Sequence, residues 1–277
     1  MTAPATTTDD RTAPSGGRGV ASLYAGNSRA VMARGWRATR SSNWMIVVSG
    51  FFEPIFYLLS MGIGLGALVG EVATADGDVS YAAYIAPALL AVAAMNGAIY
   101  DSTWNVFFKM NFAKLYEGML ATSLGPLDVA LGEISLALLR GAFYASGFLV
   151  VMQALGLNLS WWALLALPAV LLIAFGFASL GMAITSYMKT FQQMDWINFV
   201  LLPMFLLSAT FFPITVYPQA VQWIIQAMPL WHGVELVRGL TTGAVHWGLL
   251  WHVLYYAVMI VVGVVFTTKR LRALFLD

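Results

Sequence analysis

No cysteine occurs in the 277-residue chain, and charge is scarce, with Asp, Glu, Lys and Arg together making up 10% of it. The first absence excludes disulfides, iron–sulfur clusters and thiol catalysis. The second excludes an ordinary soluble domain, in which about a quarter of residues are charged. Lysine is confined to Lys109, Lys114, Lys189 and Lys269, none of which follows a glycine. A phosphate-binding loop of the Walker type needs Gly-Lys, so any nucleotide hydrolysis has to come from another polypeptide. The three histidines, His232, His246 and His252, lack a paired acidic ligand at metal spacing. No metal site is expected, and interfacial histidine is the plainer reading.

Apolar residues are abundant: 60% of the chain is hydrophobic, in six long stretches between Trp44 and Thr267. A hydrocarbon core about 30 Å thick takes about 20 apolar residues in a helix. The expected fold is all-α integral membrane, with spans at residues 44–68, 81–108, 130–157, 162–186, 194–212 and 249–267. The third span starts somewhere between Leu127 and Gly141. Residues 1–19 are a different material, without apolar period, and read as a disordered cytosolic tail rather than a signal peptide.

Six spans put both termini on one side. Twelve of the fourteen Lys and Arg fall in segments on that side: six before Trp44, then Lys109, Lys114, Lys189, Lys269, Arg270 and Arg272. The other face keeps Arg238, and its first loop is acidic through Glu71, Asp76 and Asp78. By the positive-inside rule both termini are cytoplasmic. The near-neutral total charge conceals this asymmetry, which concerns membrane orientation and gives no case for nucleic acid.

Two cytosolic segments stand out. On a helical wheel starting at Arg29, Arg29, Arg34, Arg37 and Arg40 lie within an arc of about 140°, with Tyr24, Val31, Met32 and Trp36 opposite. Residues 20–40 therefore read as an amphipathic helix in the inner interface, either anchoring to anionic lipid or docking a partner. Residues 109–125, KMNFAKLYEGMLATSLG, are too long for a tight turn and mix charge with Phe112, Leu115, Tyr116 and Met119. A short amphipathic helix follows, with apolar residues free for a groove on another protein or for lipid.

Charges inside spans are costly and usually face a partner, water or a pathway. Glu53, beside Pro54, lies roughly 13 Å past Trp44 at the rise of an α-helix. Asp101 is on the second span with Asn105 one turn on, and Glu133 and Arg140, seven apart, project from one face of the third. The four are translocation or gating candidates, with Arg140 pairing Glu133 or Glu53; alternatively Glu133 and Arg140 lie near the inner interface and Arg140 snorkels. Residues 213–240, broken by Pro213, Pro218 and Pro229, are too apolar for an exposed loop and suggest short helices dipping into the outer leaflet. Glu235 and Arg238, three apart, can neutralise each other there. The glycines Gly62, Gly66 and Gly70 form a small-xxx-small pattern for close helix approach.

The run Phe211, Phe212, Pro213, Pro218, Pro229-Leu230, His232, Glu235 and Arg238 resembles the C-terminal signature of ABC-2 type permeases. Glu53-Pro54, the connection from Tyr116-Glu117 through Leu131-Gly132-Glu133, and Tyr84 to Asn96 agree, the likeness being closest to the lipo-oligosaccharide (nodulation factor) and drug exporter branch. The resemblance covers Tyr24 to the C-terminus. It implies an interface helix at 20–40, a coupling segment at 109–125 that docks on a separate ATPase, and re-entrant helices at 213–240. It further implies that Lys114, Leu115, Tyr116, Glu117 and Gly118 make the ATPase contact and that two permease copies flank the substrate route. ATP and magnesium would sit on the partner ATPase, with no cofactor and no chemistry on this chain. The cargo would be lipid-like, a glycolipid or a hydrophobic drug. Two other classes remain: a proton-driven secondary exporter relaying through Glu53, Asp101 and Glu133, for which no inverted repeat is visible, and an intramembrane enzyme, which would want convergent His, Asp or Glu at one depth.

Overall fold

The structure, a computed structural model, describes residues 24, 26–40, 52, 55–74 and 77–275. The expected tail at 1–19, the first half of the first span and Glu53 lie outside the described residues.

Ten helices occur among the described residues. In chain order α1 is Ser28–Arg40, and α2 is Ile55–Val69, with π-helical hydrogen bonding over Leu58–Leu65. A hairpin follows, β1 Glu71–Thr74 against β2 Gly77–Ser80, antiparallel with Glu71 opposite Ser80 and Thr74 opposite Gly77. Ser80 then caps the next helix, its hydroxyl accepting from the Ala83 amide. This helix, α3, runs Tyr81–Asn111 with a π-helical segment at Asp101–Asn105. The remaining helices are α4 Leu115–Leu120, α5 Pro126–Ala154, α6 Trp161–Thr185, α7 Asp195–Leu207, α8 Gln219–Ala227, α9 Pro229–Thr242 and α10 Leu249–Phe275.

Four of these, α3, α5, α6 and α10, are long and apolar enough to cross a membrane. They match the second, third, fourth and sixth expected spans, α10 continuing past Thr267 to Phe275. The described part of the first span, α2, has fifteen residues, and the fifth, α7, has thirteen after a 3-10 turn at Phe191–Met194. The hairpin between α2 and α3 was not foreseen.

The core is built around α3, which packs against α2, α5, α6 and α9. Its first twenty residues include eight alanines, and fifteen of the twenty are buried. Small side chains let helix backbones close in where water cannot drive association. Of the three glycines expected to mediate such approach, Gly62 alone meets another helix within the chain: a Cβ there would stand 3.4 Å from that of Ala82. Gly66 and Gly70 face open space, and Gly70, at φ +73°, turns the chain into the hairpin.

Candidate functional site

At the end of the bundle that carries the four lysines, α1 lies across the start of α5. A Cβ at Gly132 would fall 2.5 Å from that of Val31 and 3.0 Å from the Ser28 carbonyl oxygen, and one at Gly35 would collide with the Leu136 side chain. The crossing therefore requires glycine at 132, where β-branched Val31 and backbone stand in the way, while at 35 the Leu136 side chain would have to turn aside. Asp128 locks it: one carboxylate oxygen accepts from the Asn27 amide at 2.9 Å and the other from the Gly125 amide at 3.0 Å. A carboxylate serves amides at helix starts well, since they are unpaired donors at the positive end of the dipole. Val31 is buried in this contact, whereas Trp36 and Tyr24 stay exposed, as do Arg29, Arg34 and Arg37. Half of the amphipathic face thus meets protein.

Helix α4 hangs between α3 and α5 at the same end. Lys114 precedes it in the left-handed region, at φ 46°, an unusual conformation for a side-chain-bearing residue, which here turns the chain sharply. Lys114, Glu117 and Gly118 are exposed and Leu115 is half-buried. Tyr116 is buried completely, and burial, with the Glu133 carboxylate beside it, pushes its phenol well above the ordinary range. The expectation that Tyr116 contacts a partner is corrected accordingly: it is the peg that seats α4, while its neighbours present the surface.

The charges within α3 and α5 form two rungs. Arg140 donates to Asp101 at 2.6 Å, and Lys109 donates to Glu133 at 2.6 Å. Asp101 also accepts from Asn105 at 2.6 Å. Of the two partners expected for Arg140, Glu133 is held by Lys109 instead, and Glu53 lies outside the described residues. Glu133 and Arg140 are seven apart and share a face, but Asp101 and Lys109 are eight apart, which in a plain α-helix turns the second about 80° off the first. The π-helical turn at Asp101–Asn105 takes up one residue, and so brings both onto the face that meets α5. Between the rungs lies a cavity of about 10 Å³, bounded by Ser102, Val106, Ile134 and Met182, with room for at most a single water.

The opposite end is organised by Arg238 on α9. It donates to Glu235 at 2.7 Å and to the Ala209 carbonyl at 2.7 Å, and stacks over the Tyr84 ring at 3.9 Å. Tyr84 donates its hydroxyl to the same carbonyl. Ala209 is left-handed at φ 55°, a conformation that costs an L-residue about 1–2 kcal/mol, and the two donors offset it by fixing the carbonyl where α7 ends. The Glu235–Arg238 pair is as expected. Phe212 is half-exposed, Pro213 leads into a 3-10 turn at Ile214–Val216, and Pro229 opens α9 at its first turn, where a missing amide costs nothing. Its carbonyl accepts from Tyr256 at 2.7 Å. His232 and His252 meet Nδ1 to Nδ1 at 2.7 Å, with Tyr255 stacked on His232. Among the described residues no group of three His, Cys, Asp or Glu is arranged for a metal.

Sequence reasoning missed Asp128, Lys109 as a partner of Glu133, and Tyr84. Asp128 was findable, because Gly125-Pro126 followed by an acid at the third helical position is a helix-start signal.

Four helices long and apolar enough to cross a membrane, tied by paired charges between them, define the class as an integral membrane protein. Residues 27–242 match the family model of the ABC-2 type transporter, and the chain belongs to that family. Among curated relatives it is similar to Nodulation protein J of Rhizobium leguminosarum bv. viciae, 33% identical over 92% of this chain and 98% of the relative. Nodulation protein J of R. leguminosarum bv. trifolii is 32% identical over 88% and 92%, and that of Rhizobium meliloti (strain 1021) 31% over 79% and 84%.

Proposed function

We propose that the chain is the permease subunit of an ATP-driven exporter, working as two copies with a separate ATPase and moving a lipo-oligosaccharide or similarly lipid-like cargo out across the bacterial plasma membrane. Family membership and the likeness to nodulation proteins J support this reading. A hydrophobic drug suits the same apolar surfaces. The remaining expectations are kept within it: six spans, both termini cytoplasmic, and re-entrant α8 and α9 in the outer leaflet. ATP and magnesium belong to the ATPase.

The observation that carries the coupling role is α4, a short helix at the basic end, pegged by buried Tyr116 and presenting Lys114, Glu117 and Gly118 outward. ATP closing the nucleotide domains would push this helix, and its packing against α5 would pass the push into the bundle, shifting it between inward and outward access. The proton-relay alternative is less well supported, because Asp101 and Glu133 each already hold a cation.

The test is co-purification of the tagged chain with its ATPase, followed by Gly118→Trp, which alters the exposed surface and leaves Tyr116 in place. Retained folding with lost ATPase association and lost substrate-stimulated hydrolysis is the expected result. Unchanged stimulation, or a complex without any ATPase, would remove the assignment.

A further inference from the structure

We infer that the groove between α6 and α10 binds one anionic phospholipid, its acyl chain along the groove and its phosphate at Arg270. The groove is a cavity of about 220 Å³, open along one side and walled by Leu180, Ala183 and Ile184 from α6, Val262 and Phe266 from α10, and Tyr187 beyond the end of α6. Its depth comes from Gly263, where a Cβ would stand 2.7 Å from the Ser179 backbone, so the two helices touch at the floor and splay above it. Drug-sized ligands occupy about 300–1,000 Å³ and need a few placed polar groups. This groove is smaller and purely apolar, which suits a stretch of hydrocarbon.

Charge at one end of the groove names the rest of the ligand. One turn beyond Phe266, Arg270 stacks over Tyr187 at 4.6 Å and donates Nε to the Ser186 carbonyl at 3.4 Å. The wall residue Tyr187 thus fixes the guanidinium at the groove's mouth. Its two terminal nitrogens have no partner among the described residues, and Lys269 beside it is exposed. A planar fork with free donors at the height where an apolar groove opens matches a phosphate ester. The leaflet is the one at the basic end of α10, which the orientation proposed above makes the inner one; the binding itself does not depend on that orientation.

The test is native mass spectrometry of the full chain, titrated with phosphatidylglycerol and, separately, phosphatidylcholine of identical acyl chains. Wild type should retain one phosphatidylglycerol about fivefold more tightly than phosphatidylcholine, the effect of one interfacial cation on an anionic lipid. Arg270→Gln should abolish that preference, Arg270→Lys should keep most of it, and Ile184→Trp, filling the groove from its exposed rim, should weaken both lipids. Equal retention of the two lipids by wild type, or an unaltered preference in Arg270→Gln, would overturn the proposal. So would a disulfide between copies carrying Ile184→Cys and Val262→Cys, since the groove would then be filled by a second copy; the absence of native cysteine makes that cross-link unambiguous.

Discussion

Two apolar helices with proline inside, α3 and α7, have opposite fates. Fifteen of the first twenty residues of α3 are buried. In α7 Met204 alone of thirteen is buried, and Trp196, Phe199, Val200, Leu202 and Leu206 are largely exposed. Hydropathy does not separate them, but size does: α3 carries eight alanines over that stretch and α7 none. In a bilayer, lipid solvates leucine as well as protein does, so only a helix with a small-residue surface gains by being surrounded. Bulky α7, nearly bare in the protomer, has its surface available for lipid or for the second copy proposed above.

The comparison breaks hardest at the ladder. Arg140→Leu removes the cation that faces Asp101 at the interface of α3 and α5, and should cost about 3 kcal/mol, the low end for breaking a buried pair, because Arg140 keeps some exposure. Thermal unfolding in detergent would read this as a large downward shift, and Asp101→Asn in the same chain should recover much of it. Next, Ala91→Phe, at a fully buried position of α3, should destabilise by about 1–3 kcal/mol through overpacking. Asp128→Asn removes the charge that holds two amides and should cost about 1 kcal/mol, with faster hydrogen exchange at Asn27 and Gly125 as its local signature. The smallest effect on the protomer is expected for Phe199→Ala on α7, within about 0.5 kcal/mol. The same change should weaken cross-linking between copies; an intact dimer would show that α7 faces lipid.

Much of the architecture was legible. Apolar length and turn residues located the four long helices to within a few residues at their starts, because the bilayer demands that much hydrocarbon wherever it is crossed. Proline at 213, 218 and 229 marked the short elements α8 and α9. Partner choice across helices was not legible: Glu133 and Arg140 were rightly placed on one face, yet which charges faced them depended on a π-turn at Asp101–Asn105 that no local pattern announces. Tyr116 was misread for a related reason. An aromatic in a six-residue helix at a junction can seat the helix or decorate it, and only the position of α5 decides.

The two rungs also bear on motion between α3 and α5. Sliding one helix along the other by a single turn, about 5.4 Å, would stretch both ion pairs at once. Two pairs that load together favour joint travel of the helices over slippage between them.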